Sequence, residues 1–320
     1  GKLVVLAADR RGLNFHLLVT WPGTDIAAVR SLRNYDSVRY CQLDEVLAGA
    51  ASVSAARTPE TVLAKIDGWE GADISENLGG MTNRTWLVSK DNRKAILKID
   101  DSWRGEPYNS RPAEASIQSI AASHGLANAV LYADELTLLT EYVEGVVWEP
   151  ACLERDRNIE VVAGALRRLH SLPLSGRSFD STIAAKRYVA RIDNTYSALV
   201  DYCTQLIETM RLPHNLCCCH NDLVAANIIT TPDVMFLDWE YACDNDPFFD
   251  LATIVEHHEL SDEVSARLLD AYFDGDGQRW WPHLLEQRSL YLALYWLWLA
   301  SRPEGSQTEL EAIAARIRAR

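Results

Sequence analysis

No dense run of lysine or arginine occurs in the 320 residues, and basic residues are in deficit: 31 against 45 acidic, a formal net charge of -14. A chain so acidic repels phosphate backbones and anionic headgroups, so nucleic acid is not an expected partner. Long hydrophobic runs are also missing. The longest, YLALYWLWLA at residues 291–300, is well short of the ~20 residues that cross a bilayer. It reads as a buried helix, and no stable membrane insertion is expected. The opening GKLVVLAADRRG has a short apolar stretch at residues 3–7 and lacks signal-peptide architecture. A regular cysteine framework is absent too. The seven cysteines are odd in number, and Cys217, Cys218 and Cys219 are adjacent, which makes them poor disulfide partners for one another. A reducing, cytoplasmic setting is the expectation. No repeat period is evident.

What remains is ordinary globular composition, 48% hydrophobic and 24% charged, on a chain long enough for about two domains or lobes. The expected class is α+β with three parts. Residues 1–58 form an N-terminal extension of unassigned role, with two short strands at residues 3–7 and 15–20, a helix at 43–51 and no chemical motif. Residues 59–143 form a small sheet-rich lobe. TPETVLAKI begins a helix with Pro59 in its first turn. ISENLGGMTNRTWLVS and NRKAILKID read as strand, glycine loop, strand, turn and strand. PAEASIQSIAASHG reads as a helix between Pro112 and Gly125, and AVLYADELTLLTEYVEG as two strands. Residues 144–320 are mostly helical, with helices at 159–172, 187–210, 262–273, 286–301 and 308–320 and short buried strands at 216–219 and 234–237.

The chemistry concentrates in CHNDLVAANIITTPDVMFLDWEYA. His220, Asp222, Asn227, Asp238 and Glu240 lie among apolar residues and are costly to bury without partners. Asn227 follows Asp222 by five residues, and Asp238 follows Asn227 by eleven. A hairpin turning at residues 230–233 would bring Asn227 and Asp238 side by side. One amide oxygen and one carboxylate are hard ligands suited to Mg²⁺ over substrate phosphates, and Asp222 would be left to accept a hydroxyl proton. Phosphoryl transfer asks for that division of labour. The small lobe supplies further parts. Gly79 and Gly80 in LGGM can bring backbone N–H groups close to phosphates. Lys98, inside the strand AILKI, needs a carboxylate or a ligand; Glu114, early in the next helix, is its natural partner.

HNDLVAANIIT, FLDWEYA and GGMTNRTWLV together resemble the choline/ethanolamine kinase branch of the aminoglycoside-phosphotransferase superfamily, whose members look like small protein kinases. The resemblance covers about residues 63–299. It implies a two-lobed protein-kinase-like fold and ATP and Mg²⁺ as cofactors. Asp222 then matches the catalytic aspartate, Asn227 and Asp238 the magnesium ligands, Lys98 the phosphate-anchoring residue and Glu114 its helix partner. His220 matches the histidine that braces the catalytic loop. Gly79, Gly80, Thr82 and Asn83 match the nucleotide loop. TEYVEG resembles the hinge, so Glu141, Tyr142 and Val143 would meet the adenine edge through backbone groups. His170 matches a structural position. Residues 1–58 and the loop after Lys98 have no counterpart in the resemblance.

The acceptor is expected to be a small cationic alcohol. YLALYWLWLA is similar to the branch's late aromatic helix; Tyr295 and Trp298, three residues apart, could offer ring faces to a quaternary ammonium group. Glu240, Tyr241, Trp148 and Glu149 could line the same pocket. Choline leads, with ethanolamine, thiamine and aminoglycosides behind it. Three other readings compete: a non-catalytic nucleotide- or cation-binding pseudokinase; a zinc protein using His214, Cys217, Cys219 and His220; and an assembly protein whose interface is residues 1–58. A homodimer is left open. Intact Asp222, Asn227, Asp238 and Lys98 weigh against the first. The buried-strand character of the cysteine run weighs against the second.

Overall fold

The structure, a computed structural model, describes residues 57–77, 84–100, 110–192, 196–210, 215–302 and 305–319, together with three strands nearer the N-terminus. The chain parts into two units, residues 1–61 and 62–320. In the first, β1 (Leu3–Asp9) is the middle strand of an antiparallel sheet, between β2 (Phe15–Thr20) and β3 (Tyr35–Gln42). Strand β3 adds to the expected pair. Its sequence, YDSVRYCQ, mixes charged and apolar residues without a period of two. The helix expected at residues 43–51 lies outside the described residues, as does the glycine loop with Gly79, Gly80, Thr82 and Asn83.

The second unit has two lobes. A short helix, α1 (Pro59–Leu63), crosses the division of the chain. The smaller lobe is a five-stranded antiparallel sheet built from β4 (Asp73–Asn77), β5 (Arg84–Lys90), β6 (Arg93–Ile99), β7 (Val130–Ala133) and β8 (Thr137–Glu141), in the order β4-β5-β6-β8-β7. Asp91 has φ 53 in the turn between β5 and β6, a left-handed conformation that aspartate tolerates. Strand alternation sets the faces of β6: Ala95, Leu97 and Ile99 are buried with Val88, Leu139 and Trp69, while Lys98 projects from the opposite face. Helix α2 (Arg111–Ser123) begins at Ser110, whose hydroxyl accepts from Ala113 N–H at 3.4 Å, and the chain leaves it through Gly125 at φ 68.

The larger lobe holds α3 (Asp156–His170), α4 (Ser181–Val189), α5 (Ser197–Thr209), α6 (Pro247–His257), α7 (Asp262–Tyr272), α8 (Trp281–Ala300) and α9 (Gln307–Arg318). The helix expected over residues 187–210 is two, α4 and α5. Asp180 caps the first through Thr182 and Ile183 N–H, and the intervening sequence Asp193-Asn194-Thr195 consists of weak helix formers. Helix α6 was not legible as a helix because residues 248–256 are all buried, so no polar face marks its period. Two small β elements carry the motif loops. Strand β9 (Val146–Val147) joins the hairpin of β11 (Ile228–Thr230) and β12 (Val234–Phe236), and β10 (Cys217–Cys219) pairs with β13 (Cys243–Asn245). Among the described residues, no helix is long and apolar enough to cross a membrane.

Candidate active site

Strand β10 delivers the chain to His220, which is fully buried. Its Nε2 lies 2.9 Å from the Leu237 carbonyl, so that nitrogen carries the proton and donates. Burial lowers the imidazole pKa to about 4 and keeps the ring neutral. The N–H groups of His220 and Asn221 both donate to Asp250, at 2.9 and 2.7 Å. Asn221 sits at φ 64. Its Nδ2 donates to the Tyr241 carbonyl at 3.0 Å, and its Oδ1 accepts from Asn245 at 2.7 Å. The loop that presents Asp222 is therefore pinned from behind by α6 and β13.

The hairpin places Asn227 opposite Leu237, whose N–H donates to the Asn227 carbonyl at 2.8 Å, one residue before Asp238. Asn227 Nδ2 donates to Asp222 Oδ2 at 2.9 Å and to the Asp222 carbonyl at 2.8 Å. That orientation spends the amide donors on Asp222 and leaves the amide oxygen as the atom that could accept or ligate. Asp238 has φ 60, an uncommon conformation for a residue with a side chain. Its carboxylate lies 2.6 Å from Lys98 Nζ, which also reaches Glu114 at 3.0 Å. Burial alone would lower the Lys98 pKa; the Asp238 and Glu114 carboxylates outweigh it, the net shift is upward, and the ammonium stays charged. For Asp222, burial first, then Asp238 and Glu240, push the carboxyl up to about 8. The structure thus brings Asp222, Asn227, Asp238, Lys98, Glu114 and His220 into one connected set, with Glu240 close enough for its charge to act on Asp222 and Lys98.

Other expected residues fall differently. The segment expected to be the hinge lies at the end of β8, where Glu141 N–H donates to the Ala129 carbonyl, Tyr142 N–H to the Lys94 carbonyl, and the Glu141 carbonyl accepts from Asn128 Nδ2 at 2.6 Å. Trp148 is a core residue, 5% exposed. Its indole N–H donates to Thr230 at 2.7 Å, at the far end of the hairpin from Asn227. Tyr295 and Trp298 are half-buried and stacked, with ring centroids 6.0 Å apart, in a file that begins at Tyr291. The Tyr295 hydroxyl donates to Glu309, and the Arg302 guanidinium lies 4.0 Å from the centroid of Trp298. Sequence reasoning missed Arg111, Asp100 and Asp250. Arg111 is fully buried and bonds Asp100 at 2.7 and 3.1 Å and Glu114 at 2.6 Å. With burial opposing, Lys98 and then Arg111 hold the Glu114 carboxyl well below the usual range. The overlooked signal for Asp250 was a charge inside the apolar run FFDLATIV, which implies a buried partner.

Residues 73–286, from the first strand of the small lobe into α8, match the family model described as the phosphotransferase enzyme family. The chain belongs to the phosphotransferase enzyme family. Protein LicA of Haemophilus influenzae is 31% identical to this phosphotransferase-family chain over 216 residues, and the match spans 61% of each chain. The chain therefore covers less than two thirds of that relative's length. Ethanolamine kinase 2 of Mus musculus is 26% identical over 191 residues, 54% of this chain and 50% of that one. The crystal structure of choline kinase LicA from Streptococcus pneumoniae shares the fold with a TM-score of 0.67 at 21% identity, over 81% of this chain and 97% of that chain.

Proposed function

We propose that this phosphotransferase-family chain is an ATP- and Mg²⁺-dependent kinase for the hydroxyl of a small cationic alcohol, with choline as the leading acceptor. The observation that carries the reading is the set Glu114–Lys98–Asp238 beside Asn227–Asp222, with contacts of 3.0, 2.6 and 2.9 Å. The donor set fits Mg²⁺: Asn227 offers an oriented amide oxygen and Asp238 a carboxylate, both hard ligands. A divalent cation there would supply charge neutralisation over the transferring phosphoryl group. Lys98, kept charged by Asp238 and Glu114, holds the α/β phosphates. Asp222 receives the acceptor proton as the hydroxyl oxygen bonds to the γ-phosphorus and the bridging P–O bond breaks. His220 braces the loop through Leu237. The adenine edge is read at the hinge; with the Glu141 N–H and C=O and the Tyr142 N–H already paired, the contact moves to Val143. The resemblance assigns Gly79, Gly80, Thr82 and Asn83 to nucleotide binding.

The relatives whose names print choline kinase and ethanolamine kinase support the acceptor class. Glu240, 2% exposed, and Tyr241 lie beside Asp238 and supply a charge and a ring. One observation favours ethanolamine as a second reading. Arg302 already holds a cation against Trp298, and a primary ammonium group can be recognised by a carboxylate without an aromatic cage. An ATP-consumption screen with choline, ethanolamine, thiamine, homoserine and an aminoglycoside tests the reading. Turnover highest with choline is expected; highest turnover with ethanolamine would select the second reading, and no turnover with any acceptor would leave only a nucleotide-binding protein.

A further inference from the structure

Strand β10 carries two thiols on one face. Cys217 and Cys219, two residues apart, project the same way, while Cys218 packs into the core on the other side. Their Sγ atoms are 3.5 Å apart. The C-terminal end of α3 brings His170 to the same face, and one imidazole nitrogen and both Sγ atoms lie within 4.8 Å of one another. We propose that His170, Cys217 and Cys219 bind a thiophilic divalent cation of the Zn²⁺ class, at a site separate from the oxygen ligands Asn227 and Asp238.

Three features carry the assignment. The first is spacing. Metal–sulfur bonds of about 2.3 Å and metal–nitrogen bonds of about 2.0 Å in a tetrahedron put the donor atoms roughly 3.5–3.8 Å apart. The two sulfurs already meet that spacing, and a small swing of the imidazole completes it. The second is the surround. His170 Nε2 lies 3.1 Å from Asp250 Oδ2, and Nδ1 lies 2.7 Å from the Tyr272 hydroxyl. If Nδ1 turns to the metal, Nε2–H keeps its bond to Asp250, giving the carboxylate–histidine–metal arrangement that fixes a ligating imidazole. The third is access: Cys217 is only half-buried, and neighbouring Leu216 is 43% exposed.

Donor softness separates the two sites. Thiolates and imidazole select Zn²⁺-class ions, whereas carboxylate and amide oxygens select Mg²⁺. Binding forms two metal–thiolate bonds and releases the two thiol protons to solvent. Apart from each other, those thiols make long contacts to the Asn245 carbonyl, at 3.8 and 3.6 Å, and from Cys219 to the Asp246 carbonyl at 3.6 Å. The zinc reading from sequence used His214 and His220. His214 lies outside the described residues, and His220 is committed to Leu237, so α3 rather than the neighbouring sequence supplies the imidazole.

The test uses the full chain, stripped of metal and held in excess Mg²⁺ to fill the oxygen site. Cd²⁺ is titrated while the thiolate-to-metal charge-transfer absorption is followed. Zn²⁺ affinity is then measured by competition with a chromophoric chelator. A stoichiometric Cd²⁺ band displaced by Zn²⁺ is expected, with Cys217→Ser weakening Zn²⁺ binding by about tenfold or more and Cys152→Ser leaving it unchanged. Absence of the band, or equal Zn²⁺ affinity in wild type and C217S, overturns the site. Should C217S not fold, alkylation of wild-type Cys217 is followed by peptide mapping. Protection by Zn²⁺ is expected, and an unchanged rate overturns the proposal.

Discussion

Asp222 and Asn227 show how much one hydrogen bond can decide. The bond from Asn227 Nδ2 to Asp222 orients the amide so that oxygen, not nitrogen, is available to a cation. It also opposes the upward push that burial, Asp238 and Glu240 exert on the Asp222 carboxyl. On the proposed assignment, Asp222→Asn keeps the shape and removes the proton acceptor. Turnover is expected to fall by about 10²–10⁴-fold with ATP affinity nearly unchanged. Steady-state kinetics with a separate nucleotide-binding measurement checks this, and full turnover in D222N would remove Asp222 from the reaction. Trp298 poses a different residue-scale question, because Arg302 covers one face of its ring. Trp298→Ala is expected to raise KM for choline more than KM for ATP. An equal rise in both would assign the ring to packing.

At the scale of elements, α2 is the part whose position matters most to Lys98. Its first turn carries Arg111 and Glu114, both buried, and Arg111 ties Glu114 to Asp100 just past the end of β6. Helix and strand are thus clamped by charge, and each carboxylate depends on a cation held in place by the fold. Replacing Arg111 with Met removes that cation from between two buried carboxylates, and breaking a buried pair in this way costs about 3–5 kcal/mol. Urea denaturation of R111M should show a loss of that size. A loss under about 1 kcal/mol would mean that the clamp adds little beyond Lys98. Amphipathic and turn-bounded elements were legible in sequence: β5, β6, α2 and α9 each carry their period and punctuation. Helix α6 was not, because burial on all sides erases the polar stripe, and the break between α4 and α5 was masked by an apolar periodicity that runs through both.

For the whole molecule, the buried histidines set an acid limit. His220 and His258 are lowered to about 4, in both cases chiefly by burial, from an ordinary value of 6.5. The unfolded chain therefore takes up these protons first as pH falls. The contribution of these two histidines should be full above pH 6.5 and decline between 6.5 and about 4, by about 3 kcal/mol for each histidine, while the Asp222 carboxyl, raised to about 8, works the other way and contributes more as pH falls below 8. His283 works in the same sense as Asp222: its bond to Asp246 raises its pKa, so its contribution is present at low pH and fades as pH rises through the folded value. Histidine ring NMR signals followed from pH 7.5 to 4 should show His220 and His258 neutral until about pH 4, and titration of either ring near 6.5 would contradict its neutral burial. By itself the sequence determined which residues are the candidates for the chemistry, since the spacing of Asp222, Asn227 and Asp238 within one loop and hairpin is local and survives without knowledge of distant contacts. Only the tertiary structure decided what stands behind them. Asp250 on the backbone of His220 and Asn221, Arg111 on Glu114 and His170 beside the β10 thiols are contacts between elements far apart in the chain. Helix and sheet packing creates those contacts, and no local pattern encodes them.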